Sequence, residues 1–286
     1  MLTSAPPNDS LASALHARAL TQAAEVDTQL QRAGQGHHTG VHRARKALAQ
    51  LRALLSLLRA APHSPSLLEQ RARALVHGLS KLRDAQAAHG MARRLARGKS
   101  ATTTQAEWHA AIDAIQAARD RLLEAAQRAD PGFSRRRGRF ASLRTALDTY
   151  DWSATAPADI KKALRDSVRR ARRARKAAGA GATDALRHRL RRRTRRTLLQ
   201  VDLLHEIAGD THRPHAAKQA HKLVERELRR RRKRKRLIDR LGDERDLQLL
   251  RHTLLELPRT EAIDHALRST FERLPRAIAA SDKAID

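Results

Sequence analysis

The 286-residue chain contains no cysteine, which excludes disulfide staples and thiolate metal sites. Aromatic residues make up 2% of it: three Phe, two Trp and one Tyr. A core must therefore be filled by Leu and Ala, and platforms on which nucleic-acid bases could stack are scarce. No apolar run approaches the roughly 18 residues of a membrane span. The opening, MLTSAPPNDSLASALHARAL, lacks the basic start and apolar stretch of a signal peptide. No glycine-rich loop is suited to cradling phosphates, and the glycine clusters at 34–40 and 179–181 read as linkers. The expectation is a cytoplasmic protein with no cofactor, no metal site and no membrane partner.

What the chain has in excess is positive charge. Against 30 Asp+Glu stand 59 Lys+Arg, a formal net charge of +29 and a pI near 11.7. So much like charge repels itself in a compact state, and a polyanionic partner relieves it. The abundant residues, Ala, Leu, Arg and Gln, are strong helix formers, so the fold class expected is all-α.

Helical periodicity runs almost throughout. Asp9 or Ser10 offers an N-cap to a first helix ending at Gly34. A second spans about 41–61, a third about 66–96 and a fourth reaches Ala129, with a loop at GKSATTT (98–104) before it. A basic segment, 134–150, leads to the loop DWSATAP. Pro157 opens a fifth helix and Asp184 a sixth. A very long seventh follows GDTHRP to about Leu257, with a bend expected at Gly242, and Pro258 starts the eighth.

The second half repeats the first. VHRARKALAQLR (41–52) returns as LRHRLRRRTRRT (186–197), and LVHGLSKLRDAQ (75–86) as LIDRLGDERDLQ (237–248). His42 and His188 are 146 residues apart, Arg83 and Arg245 162 apart, and the extra 16 fall in the long seventh helix. Two motifs recurring in the same order indicate a duplicated four-helix unit, with halves at 1–150 and 151–286 related by a pseudo-two-fold axis.

On a helix, His42, Arg45, Lys46, Ala49 and Arg52 share one face, while Leu48, Leu51, Leu55 and Leu58 form the adjacent apolar stripe. His188, Arg191, Arg192 and Arg195 align in the same way, with Arg196 beside them. One such histidine would read as an incidental surface residue; two across a pseudo-dyad read as a shared site. His42 and His188 are thus expected near the molecular centre, each close to its arginine at +3, on opposite sides of one basic cavity. Further candidate anion ligands are Lys81 and Arg83; Arg169, Arg172 and Arg173; Lys222 and Arg226; Arg229, Arg230, Lys233 and Arg234 of RRRRKRKR (229–236); and Arg245. No face of that eight-cation run can enter an apolar core, so it must be exposed or line a wet groove. Asp84 and Asp246 are expected to accept hydrogen bonds from basic side chains of the motif helices and so orient them.

VHRARKALAQLR, KLRDAQ, LRHRLRRRTRR and LIDRLGDERDLQ resemble the signatures of the CHAD family, the conserved-histidine α-helical domains. The resemblance runs over nearly the whole chain, 1–286, as a single such domain. It implies two four-helix bundles around a central basic pore, inorganic polyphosphate as ligand, no catalysis of its own, and association with polyphosphate granules or regulation of polyphosphate metabolism. The chain departs from the pattern at Ala49 and Gln50 in the first copy and at Leu198 in the second, where the family is basic.

Two other readings compete. A basic helical nucleic-acid-binding protein needs no aromatics to sit on phosphates, but no helix-turn-helix, zinc-finger or basic-zipper signature is present; weaker nucleic-acid binding is compatible with the charge. A phosphate-metabolising enzyme could draw on the carboxylates of GDERD (242–246) or on His212, His215 and His221, spacings too loose to specify a metal.

Overall fold

The computed structural model describes residues 9–97, 105–179 and 181–285; the expected loop at 98–104 lies outside these. Among the described residues there are helices and no strands. In chain order they are α1 (Leu11–Gly34), α2 (His38–Leu55), α3 (Ser66–Gly78), α4 (Ser80–Ala96), α5 (Gln105–Ala129), a 3-10 turn (Pro131–Phe133), α6 (Ser134–Asp148), α7 (Pro157–Ala177), α8 (Asp184–Ala208), α9 (Pro214–Leu228), α10 (Arg231–Leu255) and α11 (Glu261–Ile285).

Local chemistry fixes the ends. Ser10 caps α1, its Oγ accepting from the Ser13 N–H at 3.0 Å. Asp9 caps a different helix: its carboxylate accepts from the His215 and Ala216 N–H groups at the start of α9, tying the two halves together. Pro157 and Pro214 occupy first-turn positions, where a missing N–H costs nothing. The basic segment after Phe133 is helix α6, because Phe140, Leu143 and Leu147 recur at helical spacing and are buried while its arginines face outward.

Two expected long helices are each divided. The third breaks at Leu79 into α3 and α4. The seventh breaks at Arg229–Arg230 into α9 and α10, and Gly242 lies inside α10 without interrupting it. Like charges three and four apart disfavour helix, and no apolar side chain anchors 229–236 to a core. Gly242 instead gives room to a neighbour: a Cβ there would stand 3.6 Å from Arg191 Nη2. A tighter approach separates α1 and α2, where a Cβ on Gly40 would come within 2.6 Å of the Ala33 nitrogen.

The helices that carry the repeated motifs form a ring. α2 packs on α8, α8 on α10, α10 on α4 and α4 on α2. The flanking pairs match across the two halves: α1 on α2 and α7 on α8, α2 on α3 and α8 on α9, α4 on α5 and α10 on α11. This is the pattern expected of a duplicated unit. The cores, however, do not follow the boundary at 150. One bundle combines α4 and α5 with α10 and α11 around Ala88, Trp108, Ile115, Leu250, Leu254 and Ile263. The largest core joins α1, α2, α3 and α6 to the start of α7, the C-terminal half of α8 and α9. A third, smaller core sits among α7, α8, α10 and Ile285. Arg187, 5% exposed, bridges Glu244 at 3.3 Å and Asp282 at 2.5 Å and locks α8 to α10 and α11. No helix among the described residues is long and apolar enough to cross a membrane.

Candidate functional site

The apolar stripes of α2 and α8 draw these helices into contact, and Gln200 of α8 donates to Ser56 Oγ at 2.7 Å where α2 ends. That contact turns the basic stripes of both helices toward α4 and α10. Arg83 of α4 stands at the hub. It lies 3.1 Å from Asp84 and 3.5 Å from Asp246 of the other half, and it acts electrostatically on His42, Arg45, Arg191 and Arg195. His188 feels Arg192, Arg245 and Arg191, and on the opposing side Asp84. Lys46 lies beside His42. The two histidines, their +3 arginines and both Arg-Asp pairs thus lie within one electrostatic cluster.

A second group adjoins the first. Glu69 of α3, 8% exposed, receives the Arg59 Nε–H at 2.6 Å and neighbours Arg52, Arg170 and Arg196. Arg73 adds its charge to Arg52, and Arg193 to Arg196. The sequence reading missed Glu69, Arg59, Arg73, Arg170 and Arg193. Arg59 was legible in principle, seven residues beyond Arg52 in the same basic and aliphatic stretch; a lone Glu in the first turn of α3 gives no such signal.

The electrostatics are those of a site short of anions. Burial, and then the charge of Arg83, lower the Arg45 pKa to about 10, and Arg191 is lowered to about 10 for the same reasons. Arg196 is brought to about 10 by burial, with Arg52, Arg59 and Arg193 adding to it and Glu69 opposing. Arg52 and Arg195 shift in the same direction. His42 and His188 are held below the ordinary imidazole value by burial, then by the surrounding guanidinium groups, so both are neutral at pH 7. Arg45 Nη1, Arg52 Nε and Arg191 Nε are buried donors without an acceptor among the described residues. Yet His42, His188 and Arg195 keep more than a third of their surface open. Side chains so crowded, and in part still open to solvent, form a basic accessible cluster and not a sealed core.

Asp84 and Asp246 differ from expectation. Their recorded partners are Arg83 and Arg94, both on α4, and not side chains of the motif helices; Arg94 lies 3.6 Å from Asp246 and 3.4 Å from Asp243. The reason is position: α4 and α10 pack directly, so Asp246 of α10 meets Arg83 and Arg94 of α4, while Asp84 meets the adjacent Arg83 of its own helix. They reach Arg45, His188, Arg191 and Arg195 only through the field.

Other predicted ligands stand apart from the cluster. Lys81, Arg172, Arg173, Lys222, Arg226, Arg230 and Lys233 are exposed. Arg169 is paired with Asp166, Arg229 approaches Glu225 at 3.9 Å, and Arg234 is held by Glu227. The run 229–236 therefore coats an outer surface at the α9–α10 junction instead of lining the central groove. No apolar partner draws it inward, and the nearby acids fix it where it is. Among the described residues no group of three metal-ligating side chains is present.

The model of the CHAD domain matches residues 14–226. The chain belongs to the CHAD domain family. The matched span stops before α10, so the second Arg-Asp signature of this CHAD domain lies beyond it. In structure the likeness extends further: the crystal structure of the CHAD domain from the plant Ricinus communis matches 100% of this chain and 94% of its own, with a TM-score of 0.59 and 17% identity. At that identity the likeness concerns the fold. No curated protein matches the sequence.

Proposed function

We propose that this CHAD domain binds inorganic polyphosphate, without catalysis, along the groove between α2, α4, α8 and α10. The observation that carries the reading is the set of crowded arginines with buried, unmatched donors: Arg45 and Arg191 beside Arg83, and Arg52 in the adjoining Glu69 group. A linear phosphate chain offers an acceptor to each fork in turn, and replacing guanidinium–guanidinium repulsion by phosphate contact stabilises the complex. The ligands are His42, Arg45, Lys46, Arg52, Arg83, His188, Arg191, Arg192, Arg195, Arg196 and Arg245. The two carboxylates facing Arg83 hold it in place. A groove between helices admits a thin unbranched chain, whereas a duplex meets only its rim. The setting is the cytoplasm, on polyphosphate granules or beside an enzyme of polyphosphate metabolism.

The exposed run at 229–236 favours a second, weaker interaction with nucleic acid at the outer surface. One experiment separates the two readings. Long-chain polyphosphate and duplex DNA of equal charge concentration compete for the protein at several salt concentrations. Polyphosphate is expected to win, with a slope of log K against log[salt] of about −0.7 for each phosphate neutralised. Displacement of polyphosphate by DNA would overturn the assignment, and release of orthophosphate from the chain by the purified protein would overturn the absence of catalysis.

A further inference from the structure

Beyond the central groove, toward the start of α2, a cleft of about 480 Å³ opens. It is lined by the Gly36–Thr39 turn, by Gln86, His89, Gly90, Arg93 and Arg97 of α4, and by Arg119 of α5. Roughly 300–1,000 Å³ is usual for a small-molecule site. Three features make this one selective for an anion.

The first is charge. Arg93 and Arg97 are exposed at the cleft and no carboxylate is recorded against either. Asp120, beside the cleft, is already engaged by Arg119 Nη2 at 2.9 Å and by His38 Nε2 at 2.7 Å. The second is the helix end. The N-cap of α2, His37, makes no side-chain capping bond, and the first turn holds no acid, so the positive end of the helix is left to whatever occupies the cleft. The third is His89, 5% exposed. Arg119 Nη1, which can only donate, lies 3.1 Å from His89 Nδ1. The imidazole proton must then sit on Nε2, which meets no acceptor among the described residues.

The cleft and the Arg83 cluster share helices α2 and α4. Arg83, Gln86, Gly90, Arg93 and Arg97 follow one another at spacings of three and four, a single stripe along α4. His38, His42 and Arg45 form the matching stripe on α2. From Arg83 to Arg93 the helix rises about 15 Å.

We propose that this cleft is a distinct binding site for a compact phosphate anion: pyrophosphate, or the end group of a longer phosphate chain. The chemistry is the same in both cases, a doubly charged terminal phosphate set against the α2 N-terminus and the Arg93 and Arg97 forks. The inference rests in part on the polyphosphate reading of the groove, and the test keeps them separate.

Pyrophosphate and long-chain polyphosphate are each titrated calorimetrically into the wild-type protein, an Arg93→Gln/Arg97→Gln variant and an Arg191→Gln/Arg195→Gln variant. Arg93 and Arg97 are exposed, so their replacement leaves the fold intact. Pyrophosphate affinity is expected to fall at least tenfold in the cleft variant and less than threefold in the groove variant. If the cleft variant also binds the long chain more weakly, the cleft takes chain ends; if its long-chain affinity is unchanged, the cleft takes free pyrophosphate. Wild-type protein that does not bind pyrophosphate, or a cleft variant that binds it as wild type does, would overturn the site. Failure of the long chain to bind while pyrophosphate binding persists would overturn the groove and leave the cleft standing.

Discussion

The two ends of the ring differ, although the helices that form it carry similar motifs. Shifting α2 by 146 residues sets Asp184 where His38 stands. Shifting α4 by 162 sets Arg251 for His89, His252 for Gly90 and Leu255 for Arg93. In the second half the acid at the helix start accepts from Gln248 Nε2 at 3.1 Å, and Leu255 is 45% exposed. In the first half the corresponding glutamine, Gln86, receives Arg119 Nη1 at 3.3 Å and the helix start is left uncapped. The centre changed far less: His, Arg at +3 and the Arg-Asp pair are present twice. The motif stripes are also unequal, since 36 of the 59 cations lie after residue 150.

The inequality gives the largest expected effect. Replacing Arg191 and Arg195 by Gln should weaken long-chain polyphosphate binding at least a hundredfold, a charged hydrogen bond being worth about 1.5–3 kcal/mol. The same change at Arg45 and Arg52 should cost roughly tenfold, because the second half supplies more neighbouring cations. Equal losses, measured at fixed salt, would erase the distinction between the halves.

The next comparison sets Arg83 against Arg245. Arg83 acts on both motif helices and bridges two carboxylates, whereas Arg245 is recorded against His188 and Arg191 of α8 alone. Arg83→Gln is therefore expected to bind polyphosphate about tenfold more weakly than Arg245→Gln, a difference of about 1.4 kcal/mol. The reverse order would move the hub to α10.

The packing of the halves can be broken separately. Gly40 touches α1, and its counterpart 146 residues on is Leu186, so the α7–α8 pair accepts a side chain that α1–α2 cannot. Gly40→Ala should lower unfolding free energy in urea by about 1–3 kcal/mol, the usual cost of overpacking. A variant as stable as wild type would mean the α1–α2 approach relaxes freely.

Asp246 is less exposed than Asp84, at 17% against 36% of the side chain, and it faces two arginines. Asp246→Ala should weaken binding about threefold to tenfold by releasing Arg83, and Asp84→Ala less, each being the loss of a charged contact of modest net worth. Tighter binding in both would show that these carboxylates do no more than repel the ligand.

The smallest effect is that of pH. In the free protein His42 and His188 titrate below the ordinary imidazole value, and bound phosphate stabilises the imidazolium. The complex then holds more protons than the free protein, so affinity rises as pH falls through the raised value in the complex. It levels off below the depressed value in the free protein. The same depression makes the free protein less stable as pH falls through about 6.5, since the unfolded chain takes up the protons first. Equal shifts in the single variants His42→Gln and His188→Gln would show that the two copies titrate alike; a pH-independent affinity in the wild type would remove the histidines from the site.

Much of the fold was legible because it repeats. Leucine and alanine at helical spacing define a buried face wherever they occur, and Ser10, Pro157 and Pro214 mark helix starts by local hydrogen bonding alone. The breaks at Leu79 and at Arg229–Arg230 were not legible, since each depends on which neighbour anchors the next turn. The central residues of the site could be read from the two copies of one motif. The Glu69 group and the cleft could not, because Glu69, His89 and Arg119 lie outside the repeated motifs, and only packing brings them beside Arg52 and His38.

The sequence by itself determined an all-helical chain, a doubled motif and a charge that calls for a polyanion, because composition and period act locally and survive without tertiary context. Tertiary structure alone decided which helices share a core and which cations face one another. The boundary at 150 separates two copies in sequence, yet α4 and α5 pack with α10 and α11, so each bundle is completed by the other half. It also decided that seven of the eight consecutive cations at 229–236 stay on the outside, Arg234 being held against Glu227, while scattered arginines at 45, 83, 191 and 195 converge. A charged side chain is drawn inward when apolar neighbours on its own helix pull that helix inward; the scattered arginines are interleaved with such neighbours, whereas the unbroken run has them only at its ends, in Leu228 and in Leu237 and Ile238.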